Sequence, residues 1–199
     1  MVERKNIGVI GIQGAISEHL EAMQNALKET NTPGNVFEVT TKDILKNVDA
    51  LILPGGESSS ISKVLFNSGL HNIIKSKIME NDIPIMGTCA GCVLLSSELS
   101  DNLEEIKLLK AMNIQVKRNA FGRQRESFEQ DLDVSVFKKP YHGVFIRAPI
   151  IKKVWGSCKI LSKIDEKIVM ARQENLLALS FHPELTDDSR IHKYFLSMI

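Results

Sequence analysis

Cys89 is the residue whose type and position point most directly to chemistry. It lies between Gly87 and Gly91 in "IPIMGTCAGCVLLSS" (83–97), where an apolar run ends and a helical pattern begins. A nucleophile at a strand-to-helix turn is pushed out of the sheet, and the helix N-terminus stabilises negative charge on it. The G-x-C-x-G spacing therefore predicts a thiolate nucleophile, with the backbone N–H of Ala90 facing an oxyanion on the substrate carbonyl.

Other roles for Cys89 remain open on this pattern alone. Free cysteines are often buried and behave as small hydrophobes. Cys89 and Cys92 also form a C-x-x-C, which beside a βαβ pattern can be a thioredoxin-like redox pair. Redox pairs do not need a glycine on each side of the first cysteine, and Cys92 falls in an apolar run typical of a core. A zinc site is disfavoured because no second pair of ligands is visible, so no metal is predicted.

His182 and Glu184, in "SFHPEL", are the predicted base and its orienting acid. Two residues apart in extended chain, their side chains share a face, and Pro183 favours extended backbone before it. A carboxylate that accepts a hydrogen bond from one imidazole nitrogen leaves the other nitrogen for a thiol. The other four histidines have no comparable neighbourhood and are predicted to be helix-face or loop residues: His19, His71, His142 and His192.

A third segment, "LPGGESSS" (53–60), joins a strand to a helix through two glycines. Glycines let backbone N–H groups approach a ligand closely, and a helix start favours an anion. One alternative is an ordinary turn with Ser58 or Ser59 as the N-cap. A phosphate loop is another, but its G-K-[ST] ending is absent. Gly8, Gly11 and Gly14 give G-x-x-G-x-x-G rather than a dinucleotide fingerprint, so nicotinamide binding is not expected.

The elements that must position these residues alternate in the first half of the chain. Strand-like runs are "NIGVIGI", "NVFEVT", "DALILP" and "IPIMG"; helical patterns are "AISEHLEAMQNALKE", "TKDILKNV" with Thr41 as N-cap, and "ISKVLFNSGLHNIIKSKIME" with a break near Gly69. This alternation predicts a parallel sheet with helices on both faces. The turns after "DALILP" and "IPIMG", together with "FHPE", should therefore meet at the carboxyl ends of the strands.

The second half has mainly strand-like patterns and ends in one helical pattern. The strand-like segments are "NIQVKRN", "LDVSVF", "GVFIRAP", "KIVMARQ" and "LLALSFHP", and the final helix is "DDSRIHKYFLSMI". We expect these strands to extend the sheet, some of them antiparallel. With 199 residues and no linker-like stretch, the chain is expected to form one domain, 1–199.

Charge and hydropathy exclude several classes of function. The net charge of +1 gives no electrostatic basis for binding nucleic acid. The apolar runs are too short to span a membrane, and "MVERKNIGVIG" lacks the features of a signal peptide. Three cysteines do not suggest a secreted disulfide framework. These observations predict a cytoplasmic protein that binds neither nucleic acid nor membrane.

Together, G-T-C-A-G, F-H-P-E and L-P-G-G-E-S resemble the class I, or triad, glutamine amidotransferases. Further motifs narrow the resemblance to the glutaminase subunits of pyridoxal phosphate synthase, the vitamin B6 enzyme: "IGVIGIQGAISEH", "VKRNAFGRQRESFE", "GVFIRAP" and "FHPELT". The motifs run from residue 7 to residue 186. The resemblance implies a flavodoxin-like three-layer α/β sandwich, with a mixed, mostly parallel sheet and helices on both faces.

The resemblance also implies an activity and a partner. L-glutamine would be hydrolysed to glutamate and ammonia through a thioester, without a cofactor. The ammonia would pass to a separate, barrel-shaped synthase subunit, which builds pyridoxal phosphate from a pentose phosphate and a triose phosphate. A hetero-oligomer with that subunit is expected.

The resemblance assigns roles to individual residues. Cys89 is the nucleophile, and His182 and Glu184 complete the triad. Backbone groups of Gly56 and Ala90 form the oxyanion hole. An arginine suits the α-carboxylate of glutamine, and a carboxylate such as Glu57 suits its α-ammonium. The implied glutamine-binding residues are Gly56, Glu57, Ser58, Arg118, Ile146 and Arg147; the arginines not chosen are Arg123, Arg125 and Arg172.

Two departures from the family pattern and two alternative functions remain. Cys92 stands where an apolar residue is usual, and Ser59 stands where a threonine commonly follows Ser58. Both changes are mild, although Cys92 could make the protein sensitive to oxidation through a disulfide with Cys89. The alternatives are a catalytically silent regulatory or scaffold subunit, and a class I glutaminase that serves a different synthase.

Overall fold

The computed structural model describes residues 4–101, 105–121 and 127–199. None of the helices in these three ranges has both the length and the apolar character that crossing a bilayer requires. In chain order the elements are β1 (Lys5–Ile10), α1 (Ile16–Glu29), β2 (Gly34–Val39), α2 (Lys42–Lys46), β3 (Ala50–Leu53), α3 (Ser58–Ser68), α4 (Leu70–Met79), β4 (Ile85–Thr88), α5 (Ala90–Leu95), β5 (Ser96–Leu99), β6 (Met112–Lys117), β7 (Ser127–Leu132), β8 (Tyr141–Ile146), β9 (Ile150–Val154), β10 (Lys159–Ile164), β11 (Lys167–Gln173), β12 (Leu176–Leu179), a 3-10 helix (Pro183–Leu185) and α6 (Arg190–Leu196).

A mixed ten-stranded sheet runs through both halves of the chain. Its order is β2-β1-β3-β4-β12-β11-β9-β6-β5, with β10 paired to β11. The first five strands in this order are parallel, and the pairs from β12 to β6 are antiparallel. Every residue of β3, β4 and β12 is buried, which explains their continuous apolar sequences. The sheet confirms the predicted α/β class.

Helices cover both faces of the sheet and create two hydrophobic cores. One core holds residues of α3, α4 and α5, such as Leu65, Ile74 and Leu94. The other holds Met23 of α1, Phe195 of α6 and aromatic residues of the second half. The fold is thus a three-layer sandwich, as expected.

The strands β7 and β8 form a separate two-stranded antiparallel sheet. The sequence pattern predicts that "GVFIRAP" extends the main sheet, and this prediction is wrong for β8. The predicted strand "LDVSVF" is also misplaced, because β7 ends at Leu132 and only an isolated bridge from Val134 to Ser162 follows. Stacking of Phe128 on Phe145, with ring centroids 4.7 Å apart, anchors the pair to the second core.

Local signals in the first half are confirmed. The side chain of Thr41 accepts a hydrogen bond from the Ile44 N–H and caps α2. Gly69 has a φ of 73° and separates α3 from α4, which agrees with the predicted break. In the second half, α6 is shorter than its pattern, and β5, β9 and β10 had not been predicted.

Candidate active site

The carboxyl ends of β3, β4 and β12 meet at one edge of the sheet, as the topology predicts. Leu53 pairs with Gly87, and Leu179 pairs with Thr88, so the segments that follow the three strands begin side by side. These segments carry the "GGES" turn, Cys89 and "FHPE". The register of the sheet therefore brings together the three motifs selected from the sequence.

Cys89 occupies a sharp turn between β4 and α5. Its backbone has φ 47° and ψ −100°, in the left-handed region that L-residues rarely adopt. The Cys89 N–H donates to the Leu179 carbonyl at 2.8 Å, which locks the turn to β12. Gly91 is required here because a Cβ at that position would lie 2.1 Å from the carbonyl oxygen of Leu53.

His182 and Glu184 lie on the segment after β12, in and beside the short 3-10 helix. The Nδ1 of His182 lies 2.7 Å from Oε1 of Glu184, and the Glu184 side chain is completely buried. The backbone N–H of His182 donates to the Val144 carbonyl at 2.8 Å. A side chain at Gly55 would approach the imidazole of His182 within 2.5 Å and Cys89 Cβ within 3.4 Å. Only a glycine leaves room for the imidazole beside the cysteine.

The electrostatics of His182 favour a charged pair with the cysteine. Burial lowers the pKa of His182, but hydrogen bonds with Cys89 and Glu184 outweigh burial and raise it to about 10. At neutral pH the imidazole is therefore protonated and lies against the Cys89 sulfur. An imidazole within hydrogen-bond reach of the sulfur is the arrangement that a cysteine nucleophile needs.

Glu57 caps a helix in this structure. Its two carboxylate oxygens accept hydrogen bonds from the N–H groups of Ser59 and Ser60, at 3.0 and 2.7 Å. A hydrogen bond from the Ser60 side chain, together with these backbone bonds, outweighs burial and lowers the pKa of Glu57 to about 2. The proposed N-caps Ser58 and Ser59 are therefore wrong, since Glu57 is the cap of α3. The first N–H groups of α3 bind this carboxylate, so the expectation that the helix start favours an external anion needs the same correction.

A cleft of about 550 Å³ lies above Cys89. Arg118 reaches across it, with Nη1 3.3 Å from Ser59 Oγ and Nη2 3.7 Å from Glu57 Oε1. The carbonyl oxygen of Ile146 lies 3.9 Å from the Cys89 sulfur. The predicted site residues that line the cleft are Gly56, Glu57, Ser58, Cys89, Ala90, Arg118, Ile146, Arg147 and His182, and Glu184 lies behind His182.

Several side chains considered in the sequence lie elsewhere. Cys92 is fully buried, and burial raises its pKa, so its thiol stays protonated. Arg172 donates to the Glu174 carbonyl and to the Tyr194 hydroxyl. Arg123 and Arg125 lie outside the described residues, as does the "GRQ" of "NAFGRQ". No cluster of three side chains suited to a metal ion occurs within 4–101, 105–121 and 127–199.

One of the other histidines, His142, contradicts the prediction made for it, whereas His19, His71 and His192 lie on helices as predicted. His19 is completely buried on α1 and lies 3.3 Å from Oε2 of Glu184. His142 lies on β8, between Glu129 and Asp131, rather than on a helix or in a loop. The sequence did carry a signal for His19, because Ile16, Leu20 and Met23 define an apolar face that includes position 19.

Comparisons with known proteins identify the family of this chain. Residues 9–199 match the model of the SNO glutamine amidotransferase family. A protein named pyridoxal 5'-phosphate synthase subunit PdxT from Methanosarcina barkeri is 46% identical over 195 residues, which are 97% of each chain. A protein of the same name from Pyrococcus horikoshii is 43% identical over 194 residues, covering 97% of this chain and 98% of the relative.

Solved structures give the same result. A crystal structure titled glutamine amidotransferase superposes with a TM-score of 0.86 and 40% identity, covering 96% of this chain and 97% of that one. A glutamine amidotransferase from Thermotoga maritima superposes with a TM-score of 0.64 at 14% identity, over 96% of this chain and 80% of that one, which supports the fold alone.

The fold is that of a glutamine amidotransferase, and a cleft centred on a cysteine lies at one edge of its sheet. The chain belongs to the SNO glutamine amidotransferase family, which confirms the resemblance found in the sequence.

Proposed function

We propose that this chain is the glutaminase subunit of a pyridoxal 5'-phosphate synthase, with Cys89, His182 and Glu184 as its catalytic triad. The observation that carries the proposal is that these three side chains lie next to one another at one edge of the sheet. His182 is bound to Glu184 at 2.7 Å and is held protonated against Cys89. The names of the relatives support the choice of synthase.

The first half-reaction forms a thioester. The Cys89 thiolate attacks the side-chain carboxamide carbon of glutamine, and the carbonyl oxygen becomes an oxyanion. Ala90 is the first residue of α5, where N–H groups have no acceptor within the helix, so its N–H is suited to bind the oxyanion. Gly56, with a φ of 147°, supplies the second donor group from the opposite turn. The C–N bond breaks as His182 gives its proton to the leaving nitrogen, and ammonia departs.

The second half-reaction restores the enzyme. His182, now neutral, takes a proton from water, and the resulting hydroxide attacks the thioester carbon. The C–S bond breaks, glutamate leaves, and the thiolate–imidazolium pair is re-formed. Glu184 keeps Nδ1 of His182 occupied throughout, so Nε2 remains the nitrogen that exchanges protons with the substrate.

The α-carboxylate and α-ammonium groups of glutamine bind to the polar side chains that line the cleft. We propose that Arg118 and Arg147 bind its α-carboxylate, because both line the cleft and guanidinium groups match a carboxylate. Gly56, Glu57, Ser58 and the Ile146 carbonyl contact the rest of the amino acid. The Glu57 carboxylate is ionised at neutral pH and keeps its charge for the α-ammonium while it caps α3.

The partner we propose is the barrel-shaped synthase subunit, which uses the ammonia to build pyridoxal phosphate. Ammonia released into water at neutral pH is mostly protonated and no longer a nucleophile. A docked partner with a sheltered path solves this problem, and the subunit names of the relatives agree with a complex. We also propose that residues 1–199 act as one glutaminase domain in the cytoplasm, where the free thiols of Cys89, Cys92 and Cys158 remain reduced.

The test compares pyridoxal phosphate synthesis from two nitrogen sources. The chain is mixed with the synthase subunit, and pyridoxal phosphate is followed with either glutamine or an ammonium salt as the nitrogen donor. Wild type should support synthesis from both. Cys89→Ala should support synthesis from the ammonium salt only and should release no ammonia from glutamine. Ammonia release by Cys89→Ala would refute the nucleophile.

The same assay separates the two alternatives. A silent scaffold would bind the synthase subunit and raise its activity with ammonium salt, but would hydrolyse no glutamine in any mixture. A glutaminase that serves another synthase would hydrolyse glutamine but neither co-purify with this synthase subunit nor feed it.

A further inference from the structure

A second buried imidazole lies against the acid of the proposed triad. His19, on α1, is 0% exposed, and its Nε2 lies 3.3 Å from Oε2 of Glu184 and 3.0 Å from Oγ1 of Thr88. The other carboxylate oxygen, Oε1, is bound to His182. Glu184 is thus placed between two imidazoles, one on each oxygen.

The contact with His19 compensates an otherwise costly burial. The side chains of His19 and Glu184 are both completely inaccessible to solvent. No well-aligned hydrogen bond reaches Oε2 of Glu184 from the described residues, so the 3.3 Å approach of His19 is the interaction that offsets its desolvation. A lone pair on Nε2 would face a carboxylate oxygen and be repelled. The imidazole therefore carries its proton on Nε2, and Nδ1 is left without a partner among the described residues.

The surroundings of His19 keep it neutral. Burial lowers its pKa further than the neighbouring Glu184 raises it. The charged and titratable groups that face it are Glu184 and His182 after β12, Glu18 on α1 and His192 on α6. The ring of His192 lies edge-on with a centroid distance of 5.8 Å, and it too is completely buried. A neutral His19 is a fixed N–H donor rather than a counter-charge.

Both contacts of His19 lead to a reacting group. Thr88 directly precedes Cys89, and Glu184 follows His182 by two residues. Building on the proposed function, we propose that His19 is a positioning residue: its Nε2, hydrogen-bonded to Thr88 at 3.0 Å and 3.3 Å from Oε2 of Glu184, attracts the carboxylate into the orientation that His182 needs and ties the base segment to the nucleophile strand. Helix α1 thereby becomes part of the site without touching the substrate.

This role predicts a change in pH dependence. Burial raises the pKa of Glu184, but its neighbours lower it by more, so the net shift is downward: a protonated His19 would lower it by its charge, and His182 lowers it by its hydrogen bond and its charge. A neutral His19 still favours the ionised carboxylate, because its N–H is directed to that side of the imidazole. Without the His19 donor, the pKa of Glu184 rises. Because the triad needs an ionised carboxylate, activity should then be lost at a higher pH on the acid side than in wild type.

The experiment compares His19→Gln, His19→Asn and His19→Leu. A glutamine amide nitrogen falls near the position of Nε2, whereas an asparagine amide is too short to reach it, so the first two form a matched polar pair. Each variant is assayed with the synthase subunit for kcat and KM toward glutamine across pH. The rate of Cys89 alkylation by iodoacetamide is measured across pH on the same proteins. His71→Leu is the control, because His71 is a buried histidine on α4 whose Nε2 contacts the Leu108 carbonyl instead.

For His19→Leu and His19→Asn we expect kcat to fall roughly 10- to 100-fold, as for loss of a group that orients a reactive side chain, with KM within about threefold. In these two variants, the pH below which kcat falls and the pH below which Cys89 alkylation slows should both be higher than in wild type. His19→Gln should regain most of kcat and the wild-type profile, and His71→Leu should match wild type. The Gln–Asn comparison decides the matter even if His19→Leu fails to fold.

The proposal is overturned if Gln and Asn variants are equally impaired with unmoved pH profiles, which would mean that His19 serves packing alone. It is also overturned if all His19 variants match wild type. A wild-type complex that releases no ammonia from glutamine would instead refute the proposed function. The alkylation profile does not depend on turnover and still tests the position of the triad.

Discussion

The parallel strands of the main sheet differ in their contribution to the site from the later strands, β6 of that sheet and β8 of the separate pair. Cys89 and His182 follow β4 and β12, whose residues are all buried. Ile146 ends β8 of the separate pair and Arg147 follows it, and Ile146 is 39% exposed. The groups that would react are held by a fully packed core. The groups that would bind the amino-acid end of glutamine, such as Arg118, Ile146 and Arg147, lie on the more exposed side of the cleft, which we call the exposed wall. Changes in the first region should therefore reduce kcat or stability, and changes in the second should raise KM.

The largest effect is expected from Glu184→Gln, at the bottom of the buried region. The amide keeps the shape of the side chain but removes the charge that holds His182 protonated and oriented. We expect kcat for glutamine hydrolysis to fall about 10³- to 10⁴-fold, as in other triads that lose their acid. KM should stay within about threefold, because Glu184 lies behind His182. A Glu184→Gln variant with raised KM and intact kcat would contradict the claim that the buried region acts on kcat and the exposed wall on KM.

Next in size is Gly91→Ala, which tests the packing beneath the cysteine turn. The new methyl group would lie 2.1 Å from the Leu53 carbonyl oxygen, so β3 and α5 must separate. Overpacking of this kind costs roughly 1–3 kcal/mol. Urea unfolding should report that loss. The control is Gly143→Ala on β8, where the nearest contact is the flexible Leu132 side chain at 2.8 Å, and a smaller loss is expected.

Arg118→Ala tests the exposed wall. Loss of a guanidinium that pairs with a carboxylate costs about 1.5–3 kcal/mol, which corresponds to a roughly 10- to 100-fold higher KM for glutamine. The value of kcat should change less than about threefold. Arg172→Ala is the matched control, because its guanidinium is bound to Glu174 and Tyr194. Equal KM values for the two variants would contradict the proposal that Arg118 binds glutamine.

At neutral pH the smallest effect is expected at His192, which lies behind the buried region. Burial lowers its pKa to about 3, from 6.5 in the unfolded chain. Between these values the unfolded state binds the extra proton, so the free energy of unfolding falls as pH falls from 6.5 toward 3.

His192→Leu should therefore lessen the decline in melting temperature between pH 7 and pH 4. Above pH 7 the variant and wild type should show parallel pH dependence, since neither state protonates this residue there. An identical acid decline in both proteins would contradict a buried, neutral His192.

The same contrast explains what could be predicted from sequence. Buried strands such as β3 and β4 are continuous apolar runs that end in glycine-rich turns, so their positions and the meeting of their ends follow from the sequence. The strand β7, "SFEQDL", is mostly exposed and polar, and "SSEL" of β5 is short, so neither carries a hydrophobic pattern. Pairing of such strands depends on tertiary contacts.

The site shows a similar division. Cys89, His182 and Glu184 could be selected from the sequence, because glycines flank the cysteine and because the histidine and the glutamate are two residues apart. The capping role of Glu57 was missed since glutamate is not among the favoured N-caps. The role of His19 was missed because its partners are 69 and 165 residues away in the chain, at Thr88 and Glu184.

The central claim is that an imidazolium at position 182 is held against the sulfur of Cys89. The most direct test is an NMR titration of the His182 ring nitrogens in wild type and in Cys89→Ala. We predict that His182 stays protonated in wild type up to about pH 10 and titrates at a clearly lower pH without the sulfur. A His182 that titrates near pH 6.5 in both proteins would contradict the account.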